Sequence, residues 1–337
     1  MQTTTPKISI IIPAYNEEGF IADCISSLLN NGYPQHCIEI IIVDGSSTDR
    51  TRQIVENIDA GSGKIVLVHN EKKIVPVAMN LGIAAASHDI IIWVGAHATY
   101  EPDYLGNSVR ILLEGNCASV GGVIKPVGNT LVGQAIAVAT SSKFGIGNAK
   151  YRYANRRQTV DTVFGGCFLK QSVEQIGGFD ESWIRNQDYE FNWRLRHQVG
   201  DIVLDPSIQC RYFCRESISG LARQYYQYGY WRFRTLRKHP SSFTFRQAAP
   251  VMLLAGLVSS AIMFAIHPVF AIVIPASYLA LSLLVSLVLS YSSRRPSFLI
   301  LLPIIFATLH LSWALGFCGH FFKRLLSISA FRQNGSS

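Results

Sequence analysis

The chain has 337 residues with a formal net charge of +8, enough for one large domain plus a second region. Its seven cysteines are scattered, with no C-x-x-C pair and no histidine at zinc spacing, which excludes a zinc-built fold and fits a reducing, cytoplasmic environment. The basic excess carries no recognition-helix or aromatic RNA-binding signature. No Asp or Glu follows Glu216, and the last basic cluster lies directly before apolar sequence, so anionic lipid head groups or a pyrophosphate are expected as partners and nucleic acid is not.

In chain order, the first element is a strand over residues 8–12, five apolar residues after Lys7 and too short for a signal peptide. It ends in the polar turn Pro13-Ala14-Tyr15-Asn16-Glu17-Glu18. Phe20, Ile21, Cys24, Ile25, Leu28 and Leu29 then recur at helical spacing, and residues 38–43 form a second apolar run that ends in Asp44-Gly45-Ser46-Ser47-Thr48-Asp49. Short β-branched runs bounded by turn formers predict buried parallel strands, so the unit reads strand, helix, strand. Ligands of open α/β sheets sit outside the carboxyl ends of the strands, which gathers Tyr15, Glu17 and Asp44 around one opening. A lone Asp-Gly needs no ligand to explain it, because the pair makes a tight turn. Two such turns in this order point to a nucleotide crevice.

A third buried strand, residues 90–94, leads into Gly95-Ala96-His97. Glycine pairs follow at Gly121-Gly122 and Gly165-Gly166, where backbone can approach a ligand closely. Next come Gly177-Gly178-Phe179-Asp180-Glu181 and Asn186-Gln187-Asp188-Tyr189-Glu190, the latter opening a helix whose dipole favours acids in its first turn. Cys210 and Cys214 have the spacing to share a helix face and are read as apolar fillers. Residues 221–238 interleave Tyr225, Tyr226, Tyr228, Tyr230, Trp231 and Phe233 with arginines, the pattern of a helix at a water-lipid boundary or of an aromatic packing layer.

Three apolar stretches follow, 248–266, 268–290 and 297–318, each approaching or exceeding the ~20 residues that cross a ~30 Å hydrocarbon core. His267-Pro268 makes the first connection tight, and Arg294 with Arg295 marks the second as cytoplasmic. Three crossings would then leave Lys323, Arg324 and Arg332 outside. Either the third segment is re-entrant or interfacial, or the charge rule fails at a short tail. Pro303, His310 and the 316–319 run of small residues are disruptive in a lipid-facing helix, and His310 reads either as a lining residue of a head-group groove or as a hydrogen-bonded link between helices.

The stretches ISIIIPAYNEE and IIIVDGSSTDRT, with GGFD-E and the Q-D-Y-E-x-x-x-R-L run, resemble the family 2 glycosyltransferases, inverting enzymes with a GT-A fold. Within that family the chain is most similar to the succinoglycan-type exopolysaccharide glucosyltransferases. The resemblance implies an α/β fold: a GT-A (Rossmann-like, mixed-sheet) catalytic domain over 1–216, a basic and aromatic interfacial helix over 217–246 and a transmembrane helical region over 247–337. It implies a nucleotide-sugar site made by Pro13, Tyr15, Glu17, Asp44, Gly45, Asn80 and Ala96, with Tyr15 near the base and Asp44 on uracil.

Asp188 matches the family's general base, with Gln187 in place of a Glu. His97 matches the last residue of an Asp-x-Asp or Asp-x-His metal motif, and Gly95 departs from its first. A divalent metal, Mn2+ or Mg2+, is therefore expected with altered use, or arginine takes over the charge. Gly165, Gly166, Arg215, Arg223 and Trp231 are expected around the diphosphate and acceptor, with Arg232 a further candidate. The implied activity is transfer of a hexose from a UDP-sugar to a polyprenyl-diphosphate-linked saccharide by a multi-pass protein of the inner (plasma) membrane, its catalytic domain cytoplasmic. The rivals are a polyprenyl-phosphate sugar synthase and a non-catalytic assembly or export subunit.

Overall fold

A computed structural model describes residues 5–334. The chain forms two compact units, Met1–Lys125 with Lys150–Phe213 and Pro126–Ala149 with Cys214–Ser337. The first alternates β1 (Ile8–Ala14), α1 (Ile21–Leu29), β2 (Ile38–Asp44), α2 (Thr51–Glu56), β3 (Lys64–His69), α3 (Val75–Ala85) and β4 (Ile90–Trp93), then β5 (Ala98–Tyr100), α4 (Tyr104–Leu113) and β6 (Ser119–Val127). After α5 (Leu131–Ala139) and α6 (Lys143–Ile146), which fall in the second unit, come β7 (Gln158–Val160), β8 (Phe164–Leu169), α7 (Lys170–Gln175), α8 (Gln187–Gln198) and β9 (Ile202–Phe213).

The strands make one mixed sheet in the order β3-β2-β1-β4-β8-β6-β9-β5, with β7 also on β9. The four strands β3, β2, β1 and β4 are parallel, and β8 turns the sheet antiparallel. Period-two alternation explains the continuous apolar runs, since each strand is covered on both faces. Ile8, Ile10 and Ile12 pack with Ile21, Cys24, Ile25 and Leu28 of α1, whereas Ile11, Ile41 and Val43 pack with Met79 and Ile83 of α3 and with Phe191 and Leu195 of α8. The register sets Ala14 beside Asp44, so both polar turns leave the sheet at one edge.

Cys210 lies inside β9 rather than on a helix, and Cys214 follows the strand with its Sγ 3.2 Å from the Val127 carbonyl. A spacing of four also keeps one face of a strand, which is why helix and strand are not separated by it. All seven cysteines are free thiols.

The second unit contains α5, α6, α9 (Ile218–Lys238), α10 (Phe245–Met263), α11 (Pro268–Ser292) and α12 (Phe298–Asn334). Ser217 caps α9 by accepting from the Gly220 amide at 3.1 Å. The core of this unit joins Ala135, Ile136 and Ala139 of α5 and Leu221 of α9 to Phe298, Leu302, Ile305, Phe306 and Leu309 of α12. Among the described residues, two helices are long and apolar enough to cross a membrane, Pro268–Ser292 and Phe298–Lys323. The first of the three expected segments falls on α10, a helix of 19 residues. The third is one helix that runs unbroken through Pro303, not a re-entrant pair. His310 is a structural link: its Nδ1 and the Tyr278 hydroxyl are 2.9 Å apart, and its Nε2 is 2.9 Å from the Phe144 carbonyl.

The helix α9 packs along α12 on one face, with Phe233 against Phe317 at 5.2 Å, and leaves Arg223 and Tyr228 exposed. The contact is backbone on backbone. A Cβ at Gly229 would overlap the Trp313 carbonyl, and one at Gly316 the Tyr226 carbonyl. Gly229→Ala is therefore expected to destabilise the helical unit by about 1–3 kcal/mol, despite the better helix propensity of alanine. Gly106→Ala in α4, where a Cβ meets nothing within 4 Å, should be neutral or stabilising; thermal unfolding in detergent compares the two.

Candidate active site

The two polar turns at the ends of β1 and β2 hold each other. The Asn16 amide donates to Ser47 Oγ at 2.9 Å, and the Thr48 amide donates back to Asn16 Oδ1 at 2.8 Å. The Glu17 amide reaches Thr51 Oγ1 at 2.8 Å, and the Glu18 amide reaches Asp49 Oδ2 at 3.1 Å. In return Glu18 accepts from the Arg50 amide at 3.1 Å. Asn16 and Ser46 occupy the left-handed region, φ 55° and 61°, which lets each turn reverse within few residues. Local turn chemistry thus fixes the mouth of the crevice before any ligand enters.

Asp44 is buried, and both its carboxylate oxygens accept from the Ser47 amide at 3.2 Å. The Gly45 amide donates to the Ala14 carbonyl at 2.8 Å, closing the end of the β1–β2 pair. Tyr15 is 48% exposed, so its ring is available to a planar partner, with Lys73 Nζ 5.9 Å from the ring centre. Pro13 is half-buried behind it. Ala96 is fully buried and can offer a ligand only its backbone.

His97, just past β4, turns back toward the first turn, and its Nδ1 lies 3.1 Å from Glu17 Oε1. Sequence separation of eighty residues hides this pair. It is a partial donor set for a divalent ion, one imidazole and one carboxylate, which suits a borderline ion better than Mg2+. Among the described residues no group of three or more His, Cys, Asp or Glu comes together. At position 95 a side chain would be tight against one ring, since a Cβ there would stand 3.1 Å from Phe164 Cζ and the ring would have to give by a few tenths of an ångström.

Asn80, expected on the donor, holds the 177–181 loop. Its Oδ1 accepts from the Phe179 amide at 2.8 Å, and its Nδ2 donates to the Phe179 carbonyl at 2.9 Å and to Glu181 Oε1 at 3.1 Å. Phe179 stands edge-on to Trp93 at the end of β4, centroids 5.3 Å apart, and stacks on Phe191 of α8 at 4.0 Å. Buried Glu190 grips Arg194 through three N–H···O contacts of 2.9–3.1 Å, and Arg194 also donates to the Ile176 carbonyl at 2.6 Å. Asp188 is therefore in the first turn of a helix pinned beside β4, half-buried, where the helix dipole stabilises its charge.

Gly165 has φ +65°, and a Cβ there would overlap the Trp93 carbonyl, so its conformation and close approach serve the β4–β8 pairing. Gly166 is buried in the same strand. Arg215, Arg223 and Trp231 belong to the second unit, where both arginines are exposed and Trp231 carries the Arg234 guanidinium 5.1 Å from its ring. Arg232 is no candidate for a leaving phosphate. It is 5% exposed, and its guanidinium donates to the Ser242 carbonyl at 2.6 Å.

Residues 9–177 match the sequence profile described as glycosyl transferase family 2. A Methanococcus voltae protein named dolichyl N-acetyl-alpha-D-glucosaminyl phosphate 3-beta-D-2,3-diacetamido-2,3-dideoxy-beta-D-glucuronosyltransferase is 32% identical over 68% of this chain and 74% of its own. The succinoglycan biosynthesis protein ExoA of Rhizobium meliloti is 28% identical over 94% of this chain and 95% of its own. Among solved structures, a mannosyltransferase of Pyrobaculum calidifontis in complex with GDP-Man and Mn2+ shares the fold, with a TM-score of 0.69 at 17% identity over 95% of this chain and 88% of its own.

Proposed function

Since the chain belongs to glycosyl transferase family 2, we propose that it is an inverting enzyme that moves a hexose from a UDP-sugar to a polyprenyl-diphosphate-linked saccharide in exopolysaccharide or cell-surface glycan synthesis. The observation that carries the donor side is the mutual locking of the two turns, which holds Asp44, Tyr15 and Glu17 at the carboxyl ends of β1 and β2. Tyr15 then stacks on the base, and Asp44, with lone pairs beyond those given to Ser47, accepts from it. Pro13, Gly45 and the Ala96 backbone shape the pocket, and Asn80 acts through the loop it holds.

Asp188 takes the acceptor hydroxyl proton as the new bond forms, since a neutral hydroxyl is a poor nucleophile. A divalent ion, if bound, would be held by His97 and Glu17 and would supply positive charge at the leaving diphosphate. Gly165 and Gly166 allow close backbone approach beside β4, and Arg215, Arg223 and Trp231 serve the lipid diphosphate. On this reading α11 and α12 anchor the protein in the plasma membrane, with the catalytic unit cytoplasmic. A lipid-linked acceptor suits such an anchor. So do the names of the two relatives, one a glucuronosyltransferase named for a dolichyl N-acetylglucosaminyl phosphate and one a succinoglycan biosynthesis protein.

The test is a screen of radiolabelled nucleotide sugars against a membrane lipid extract. An extended lipid-linked oligosaccharide from a UDP-sugar supports the proposal. An acid-labile monosaccharide phospholipid identifies a polyprenyl-phosphate sugar synthase instead, and no transfer from any donor supports the non-catalytic alternative. Asp44→Ala should weaken UDP affinity about tenfold or more by calorimetry. An unchanged affinity removes Asp44 from the nucleotide site.

A further inference from the structure

The glycine at position 95 is one part of a larger arrangement at the end of β4. The Phe164 ring that stands beside it packs edge-on against Tyr212 of β9, centroids 5.4 Å apart. Tyr212 also meets His97 edge-on at 5.1 Å, and the Phe213 amide next to it donates to the His97 carbonyl at 3.2 Å. On the same Tyr212 ring lies Arg152, its Cζ 5.5 Å from the centroid, with the Tyr151 ring 5.8 Å away on the preceding residue. The Tyr151 and Tyr212 rings thus hold a permanent cation, and Tyr212 is shared with the imidazole of His97.

We infer that Arg152 binds the diphosphate of the sugar donor and neutralises the nucleoside diphosphate as it leaves. The inference rests on the nucleotide-sugar reading above. Its chemistry follows from what surrounds position 95. Paired carboxylates meet phosphates only through a cation placed between them, whereas a guanidinium binds phosphate oxygens directly and in two-pronged fashion. A ring face beneath it orients the guanidinium plane before the ligand arrives. A cation fixed in advance where negative charge develops lowers the barrier without reorganisation. The glycine, the aromatic rings and the arginine then act together: the acid is absent, the Phe164 ring stands beside its place, and the guanidinium on the neighbouring Tyr212 ring supplies the charge that an ion would otherwise bring.

Calorimetry on the full chain in detergent, with inorganic pyrophosphate as probe and EDTA present, tests this. Wild-type protein should bind pyrophosphate, and Arg152→Gln should bind it about ten- to a hundredfold more weakly. Arg152→Lys should recover part of the loss, and thermal unfolding and uridine binding by saturation-transfer NMR should be unchanged in both variants. Wild-type pyrophosphate affinity in Arg152→Gln overturns the assignment, as does wild-type binding that EDTA abolishes. If pyrophosphate binds through Arg152 but neither UDP nor GDP binds, the donor reading fails while Arg152 keeps its role as an anion site.

Discussion

Asp188→Asn is expected to lower the turnover of glycosyl transfer by about 10²- to 10⁴-fold while leaving donor affinity at the wild-type level. Asparagine keeps the size and polarity of the side chain but cannot accept a proton, so the loss falls on the chemical step. The helix α8 is held by the Glu190–Arg194 pair, by the Arg194 bond to Ile176 and by the Phe179–Phe191 stack. None of these contacts involves residue 188, and thermal unfolding of the variant checks that it folds. Single-turnover kinetics with saturating donor separate the outcomes: near wild-type turnover in Asp188→Asn removes it as the base, and an equal loss of donor binding makes it a binding residue. Glu190→Gln supplies the contrast. It weakens the Arg194 grip and should reduce stability along with activity.

Residue patterns carried the parallel half of the sheet and little of the antiparallel half, for a physical reason. Strands β1, β2 and β4 are buried on both faces, so their sequences are unbroken β-branched runs, and the turns after them need Asn, Asp, Gly and Ser for their own geometry. Tyr15, Glu17 and Asp44 could be grouped because parallel strands deliver their carboxyl ends to one edge. The long strand β9 gave no such signal. Asp205 and Pro206 interrupt its apolar residues, and the Cys210–Cys214 spacing fits two periodicities. Its partners are also distant in sequence, with Ala98 against Tyr212 and Val160 against Ile202.

For the same reason the site residues missed were those that meet through β9. Tyr212 joins His97, Phe164 and Arg152, which are 115, 48 and 60 positions away. Asn80 shows the reverse case. The family resemblance implied a place at the donor, and in the tertiary structure its amide bonds Phe179 and Glu181, contacts that no local pattern announces. The excursion 126–149 likewise has no local mark of belonging with the C-terminal helices, because what binds Ile136 and Ala139 is Leu302 and Phe306, more than 160 residues on.

At the opposite edge of the sheet, Glu39 is expected to be a determinant of stability with no part in the chemistry. Its carboxylate is 1% exposed and accepts from Lys64 Nζ and Ser9 Oγ, both at 2.7 Å, and from the Ser87 amide and hydroxyl, both at 2.8 Å. Ser9 and Lys64 are its register partners on β1 and β3, and Ser87 lies between α3 and β4, so one side chain ties four segments. Burial alone would raise its pKa. The Lys64 ammonium, the Ser87 amide and the two hydroxyls outweigh that and hold the carboxyl down to about 2 from an ordinary 4.5.

Because the native carboxyl keeps its charge to lower pH than the unfolded one, its contribution is complete above about pH 4.5 and disappears as pH falls toward 2. Its size is about 2 kcal/mol, reduced from the full shift because Lys64 is largely in water. Glu39→Ala should cost about 3–5 kcal/mol, since it leaves a cavity and buried hydroxyl and amide donors without their acceptor. Glu39→Gln should cost less and flatten the acid limb of the stability curve between pH 4.5 and 2. Thermal unfolding across that range, with turnover measured well below the midpoint, gives the decisive comparison. An unflattened acid limb in Glu39→Gln removes the linkage. Turnover lost in protein that is still folded would mean that the two ends of β1 and β2 are coupled, and that the residues at their carboxyl ends depend on a carboxylate at their amino ends.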